Sequence, residues 1–252
     1  MRLHLTLRAR RDCTQDDPPN RGIMGRITDA LDGTAYADHR DGRQSTFVFS
    51  DLVPPRPQYD KGDELALVIA SPHDAYLSAL ASDFQTDPEF NVGEYPFEVV
   101  AGEGRDPDVG EPGSAGMLET LSGVYLPVTE FEGERFDATH EQVQKFRKWV
   151  GRTVQHRLDN DPGGPDPTEE PTDPFDDYRH RKTYAFPLQI AENFEGNAAA
   201  TKWHLYYEVR DEHHRAVLNY LLDAGLGART AYGFGCLAPA GTWAGLSEVV
   251  DG

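Results

Sequence analysis

Residues 2–9 open the chain with a strict two-residue period: Leu3, Leu5, Leu7 and Ala9 alternate with Arg2, His4, Thr6 and Arg8. That spacing gives an extended strand one apolar face and one polar face. At 20–31 the period lengthens, so that Ile23, Ile27 and Leu31 share one side of a short helix with Asn20 placed to cap it. Strand patterns return at about 45–53 and 63–71, a helical pattern at about 73–86, and a strand at about 95–101. The predicted order, β-α-β-β-α-β, is that of a ferredoxin-like unit.

The second half repeats this order. A strand at 118–128 precedes a helix whose Val143, Phe146, Val150, Val154 and Leu158 form one stripe. Residues 159–177 are rich in Asp, Glu, Pro and Gly, a composition that packs poorly, and are expected to be a mobile insertion. A strand at 182–190 follows, then one in which Trp203, Leu205, Tyr207 and Val209 alternate with polar neighbours. A helix at about 212–223 has Val217, Leu218, Leu221 and Leu222 to bury, and a last strand lies at about 234–238. The predicted class is α+β, with tandem ferredoxin-like (RRM-like) domains and antiparallel sheets. The expected division is an N-terminal domain at 1–101, a loop-like join at 102–117, and a C-terminal domain at 118–245.

Charge changes the picture. The chain holds 25 Asp and 18 Glu against 19 Arg and only 5 Lys, a net charge of −19. Acid excess with few lysines is the composition of a protein that works in concentrated salt. There the Debye length shrinks to about 3 Å at 1 M, and long-range repulsion of a polyanion fades. Residues 1–50 are net +1, with eight Arg and seven Asp, so the other 202 carry −20. Further basic clusters are Lys145, Arg147, Lys148 and Arg152, and Arg179, Arg181 and Lys182. Two cysteines, Cys13 and Cys236, exclude a disulfide framework and a cysteine zinc site. No apolar run approaches the roughly 20 residues that span a bilayer. The expectation is a soluble cytoplasmic protein with no membrane partner, no cofactor and no metal site.

The most specific segment is Gly225-Leu-Gly-Ala-Arg-Thr-Ala-Tyr-Gly-Phe-Gly235. Four glycines let a backbone approach a ligand and turn its amides toward phosphate oxygens, and Arg229 adds a planar cation. A dinucleotide fingerprint is excluded, because Thr230 stands where its third glycine belongs and the segment closes a helix instead of opening one. A plain helix cap at Gly225 explains one or two glycines but not four.

In this setting the loop resembles the C-terminal glycine motif of the CRISPR-associated endoribonucleases of type I systems, which cut precursor CRISPR RNA within its repeats. Gly225, Leu226, Gly227, Arg229, Gly233, Phe234 and Gly235 fall in register with that motif, and Thr120-Leu-Ser-Gly-Val124 resembles the opening of the family's second domain. The resemblance implies metal-independent cleavage: a 2′-hydroxyl attacks the adjacent phosphate, the 5′-oxygen leaves, and a 2′,3′-cyclic phosphate remains. It implies repeat RNA as substrate, retention of the product, and other subunits of an interference complex as partners. It places the catalytic histidine in the loop after the first helix, at His39, with Tyr36 to hold the attacking hydroxyl and Arg43 or Arg26 to neutralise the phosphate. RNA contacts are expected from Gly225, Gly227, Arg229, Gly233, Phe234, Gly235, Arg181 and Lys182. Two other readings remain: a non-catalytic RNA-binding subunit of the same fold, and a metabolic protein that binds a small anion. Adjacent His213 and His214 point about 100° apart on a helix and read as its first turn, not as a metal pair.

Overall fold

The structure, a computed structural model, describes residues 1–14, 19–32, 47–56, 58–92, 95–127, 136–161, 163–168, 172–191 and 194–242, the side chains at 186–191 and 194–198 excepted. In the first half β1 (Arg2–Ala9), β2 (Cys13–Thr14), α1 (Asn20–Ala30), β3 (Val48–Phe49), β4 (Gln58–Tyr59), β5 (Glu64–Ala70), α2 (Asp74–Thr86), β6 (Glu89–Val92) and β7 (Tyr95–Arg105) follow in order. The main sheet runs β3-β5-β1-β7-β6, all antiparallel. Without β6 this is the ferredoxin-like arrangement, and β6 is an extra edge strand that pairs with β7.

The second half holds β8 (Ala115–Thr120), β9 (Val124–Leu126), α3 (His140–Asn160), β10 (Asp177–Ala191), β11 (Phe194–Glu208), α4 (Glu212–Ala224) and β12 (Leu237–Pro239). Its sheet runs β10-β11-β8-β12, the same arrangement again, with β9 pairing beside β8 on β11. The stripe of α3 packs on β11, where the Phe146 and Trp203 rings stack at 4.4 Å. Thr139 and Gln142 close the start of α3 as a reciprocal capping box. No helix among the described residues is long and apolar enough to cross a membrane.

β5 shows why residues 64–70 are apolar almost throughout. Leu65, Leu67 and Ile69 fill the core of the first unit. Ala66, Val68 and Ala70, on the other face, pack with Val48 and Val53 against Leu121, Cys236 and Ala238 of the second unit. A strand buried on both faces loses its polar alternation. The two sheets therefore meet face to face through small side chains. Lys202 bridges the same seam to Asp51 at 2.6 Å.

Several expectations need correction. Asn20 does not cap α1; Pro19 holds the cap position with no side-chain bond, and the Asn20 amide instead donates to the Tyr232 carbonyl at 3.1 Å. Among the described residues of the expected strand at 45–53, the ladder covers Val48–Phe49, with a single bridge from Val53 to Ala66, and β7 runs through Arg105 into the join expected at 102–117. The acidic insertion is packed in its described part: Phe175 is 1 % exposed, Arg147 reaches Asp173 at 2.7 Å, and Thr168 donates to Gln155 at 2.8 Å. Its composition is rich in Asp, Glu, Pro and Gly, but one buried ring and these two polar ties hold it to α3.

His4 lies on the polar face of β1 but is not freely exposed there. It is half-buried beside Arg2 and Arg105, and its Nδ1 has no partner among the described residues. Burial first, then the two arginine charges, lower its pKa to about 4. A base whose folded pKa lies below the unfolded 6.5 binds fewer protons in the native state, so its contribution is intact above pH 6.5 and lost as pH falls toward 4. In a His4→Gln variant, the loss of unfolding free energy between pH 6.5 and 4 should be smaller than in the parent by about 2–3 kcal/mol. Chemical denaturation at both pH values measures it; equal losses in the two proteins would refute the assignment.

Candidate nucleic-acid interface

The glycine segment leaves the end of α4 and folds back on itself. Gly225 terminates the helix with φ +78°, its N–H donating to the Leu221 carbonyl at 2.9 Å. Helix C-termini leave carbonyls without partners and carry partial negative charge. Two guanidiniums meet them here. Arg157 of α3 donates to the carbonyls of Ala224, Gly225 (3.2 Å) and Gly227 (2.7 Å), and Arg2 of β1 donates to that of Leu222. Burial lowers the pKa of both arginines from their ordinary value.

The bare Cα faces of Gly225, Gly227, Gly233 and Gly235 turn toward protein, which corrects the expectation that they are bare for a ligand; of their four amides, only that of Gly227 has no acceptor among the described residues. All four are buried with positive φ. A Cβ on Gly235 would overlap the Leu226 carbonyl, and one on Gly233 would overlap the Phe49 ring of the first unit. The Leu226 N–H donates to Gly235 O at 2.8 Å and the Gly235 N–H to Gly123 O at 2.9 Å. Phe234 is corrected too: its ring is 1 % exposed, tilted on Tyr125 at 5.6 Å and packed on Ala200, so it cannot receive a base.

What the loop leaves without partners runs from Gly227 to Ala231. The amides of Gly227, Ala228, Arg229, Thr230 and Ala231 donate to no atom among the described residues, and the buried Thr230 hydroxyl also has no partner. Arg229 adopts a left-handed conformation (φ +59°), which costs a non-glycine residue about 1 kcal/mol and is typical of functional loops. Its guanidinium lies over the rings of Tyr125 (5.6 Å) and Tyr232 (5.8 Å). Nearby in the same cluster Lys182 lies 5.8 Å over the Tyr184 ring.

In so acidic a protein, a cation without a carboxylate is the informative one. Arg8, Arg10, Arg56, Arg105, Arg147, Arg210 and Arg215 are all in ion pairs. Arg26 joins them: it meets Asp83 at 2.8 Å, donates to the carbonyls of Asp87 and Glu89, and covers Phe84. Its charge is already neutralised, which corrects its expected place beside a phosphate. Arg179, Lys182 and Arg229 have no carboxylate partner among the described residues, and Arg181 meets only His204, at 2.8 Å. His39, Tyr36 and Arg43 lie outside the described residues. The chain re-enters beyond them at Phe47, and Val48 and Phe49 pack directly on Gly225 and Gly233. His213 and His214 sit in the first turn of α4, where the buried His214 contacts the Pro174 carbonyl at 2.9 Å.

Sequence reasoning missed Tyr125, Tyr184 and Tyr232. Nothing in their spacing marks them, because they come from two strands and the glycine loop. Gly123 is the nearest signal: a Cβ there would overlap the Tyr184 hydroxyl, to which the Gly123 N–H donates at 3.0 Å.

Fold and site together define a tandem ferredoxin-like protein in which Arg229, Lys182 and the unpaired loop amides gather around the Phe234 cluster of the second unit. The profile of the family "CRISPR associated protein Cas6, C-terminal" matches residues 111–239. Over 249 residues the sequence is 32 % identical to the CRISPR-associated endoribonuclease Cas6 of Haloferax mediterranei, covering 93 % of this chain and 92 % of the relative. Among solved structures, a CRISPR-associated protein Cas6 superposes with TM-score 0.67 at 15 % identity, over 95 % of this chain and 99 % of the other. A protein described as a RAMP protein binding different RNA substrates gives 0.66 at 18 % identity, over 95 % and 99 %. The chain belongs to the Cas6 family of CRISPR-associated endoribonucleases.

The burial of the glycines has a direct consequence. Gly235→Ala should cost about 2–4 kcal/mol of stability, from the overlap and the positive φ together. Gly25→Ala, in α1 with open space around its Cβ, should gain about 0.5–1 kcal/mol. Urea unfolding in molar KCl compares them, and a neutral Gly235→Ala would show that the loop does not need this close packing.

Proposed function

We propose that this protein cuts precursor CRISPR RNA within its repeats, and that the glycine loop holds the RNA strand at the cut. The observation that carries the reading is Arg229. It is held in a left-handed conformation, has no carboxylate among the described residues of a protein of net charge −19, and sits beside five open amides. An RNA phosphate supplies the acceptor that both the guanidinium and the amides lack. Family membership and the RNA-binding structural neighbour support the same substrate class.

In this reading the reaction is a metal-independent transesterification. The ribose 2′-hydroxyl attacks the neighbouring phosphorus and loses its proton to a base. The P–O5′ bond breaks and the 5′-oxygen takes up a proton, leaving a 2′,3′-cyclic phosphate and a 5′-hydroxyl. His39 is assigned as the group that moves protons, since an ordinary imidazole titrates near the working pH. Tyr36 orients the hydroxyl, and Arg43 with Arg229 stabilises the charge that builds on the phosphoryl oxygens. The phosphate role once shared by Arg26 passes to Arg229. Support for a site near the loop comes from β3, which follows the segment bearing His39 and packs on Gly225 and Gly233.

His39→Ala should lower single-turnover cleavage of repeat RNA, assayed with EDTA present, by about 10²–10⁴-fold while leaving affinity within about twofold. The parent should leave a cyclic-phosphate end that resists periodate. Full cleavage by the variant would move the active site elsewhere. A parent that binds repeat RNA without cutting it would identify a non-catalytic RNA-binding subunit.

A further inference from the structure

Tyr184 of β10, Ala200 of β11 and Tyr125 of β9 stand in one cross-strand row, since Ala200 pairs with both tyrosines. Two interstrand spacings of about 4.8 Å separate the tyrosines, so their Cα atoms lie about 9.6 Å apart on one face of the sheet. Ala200 is small and fully covered, and Phe234 of the glycine loop packs over it. Tyr125, Tyr184 and Tyr232 surround that ring and are themselves only partly buried. Contacts fix the first two: Tyr125 packs on Phe234 at 5.6 Å, and the Tyr184 oxygen accepts from the Gly123 N–H at 3.0 Å. Three partly exposed aromatic rings on a rigid floor are unusual on an acidic surface. Their outward cover is two cations, Arg229 and Lys182, neither of which has a carboxylate partner among the described residues.

We propose that Tyr125, Tyr232 and Tyr184 form a stacking shelf for unpaired nucleotides of the repeat RNA, with Arg229 and Lys182 as the cations that yield the ring faces to bases and take the phosphates instead. The proposal rests on the RNA-processing reading and adds to it where and how unpaired bases are held. The chemistry of the exchange is favourable at each step. A cation over an exposed tyrosine is held weakly, whereas a guanidinium on a phosphate makes charge-assisted, forked hydrogen bonds. The ring face that it vacates then stacks a base, which any nucleobase can do. The rings are already ordered, so little side-chain freedom is lost on binding. Stacking is also insensitive to the salt that weakens phosphate contacts. This distinguishes the shelf from a purely electrostatic groove, and the charge complementarity selects RNA as its occupant.

Binding of repeat RNA, measured by filter retention across a KCl series up to molar concentrations, tests the shelf. Tyr125→Leu and Tyr232→Leu should each weaken binding by about tenfold, with the steepness of the salt dependence unchanged. Tyr125→Phe should keep affinity within about twofold, since the ring remains. Arg229→Gln should instead make the salt dependence shallower by about 0.7 in log–log slope. Ultraviolet crosslinking of the unmodified protein should place RNA on the peptides that carry Tyr125 or Tyr232. Leucine variants that melt like the parent and bind as tightly, or crosslinks confined to other peptides, would overturn the shelf and leave RNA processing standing. Failure of the parent to bind repeat RNA at all would overturn the functional reading first, and the shelf with it.

Discussion

The C-terminal end of α4 is the point on which the rest of the structure depends. Carbonyls at this end are taken by two guanidiniums, the buried Arg2 from the first strand and the partly buried Arg157 from α3. One comes from each unit, so the same helix end joins the two sheets and launches the glycine loop between them. Among the described residues Arg157 makes no ion pair and feels only the more distant charge of Asp161, and Arg2 has only Asp223 at 3.8 Å. Buried guanidiniums are costly to desolvate; truncating Arg157 would leave three carbonyls without that donor, and truncating Arg2 would leave one. Main-chain carbonyls and a helix dipole, enclosed by protein, are screened far less by salt than a surface ion pair. An architecture anchored this way holds its seam in brine, where exposed pairs contribute least.

Much of the fold was legible because it follows from short periods. The alternation Leu3, Leu5, Leu7, Ala9 gave β1 within a residue of its bounds, and the stripe from Phe146 to Leu158 gave α3. What period could not show was contact between distant segments. Asn20 stands where a cap belongs by sequence, yet its amide is drawn to the Tyr232 carbonyl, 212 residues away. The insertion at 159–177 reads as unpackable by composition, but composition averages over Phe175, one ring that finds a cavity against α3 and Tyr178. β6 is brief and its Phe90 and Val92 alternate for only four residues, too few to stand out from the loop around them.

The glycine segment stands out in the sequence by its motif, and its packing does not. Four glycines around one planar cation, Arg229, read there as a phosphate-binding loop. The glycines, however, were assigned to a ligand because a backbone free of Cβ atoms can approach anything closely. In the fold they approach Leu226, Phe49, Trp149 and Val48. Sequence carries no record of which surface a glycine is bare for. Arg26 fails for a related reason, since a cation in the right neighbourhood counts only if no carboxylate has already claimed it. Asp83 has, and that pairing crosses from α1 to α2.

Salt then decides which interactions can hold an RNA strand. At molar ionic strength the gain from releasing condensed counterions is small, and a line of surface lysines would hold little. The chain has five lysines, and of these Lys202 is committed to Asp51 across the seam. Open amides on a rigid loop and tyrosine rings with fixed orientation do not lose their grip in the same way, because one acts at hydrogen-bond range and the other through ring contact. The acidic exterior is therefore compatible with an RNA partner on one condition: that recognition be concentrated where backbone and aromatic groups converge. The cluster around Phe234 in the second unit meets that condition.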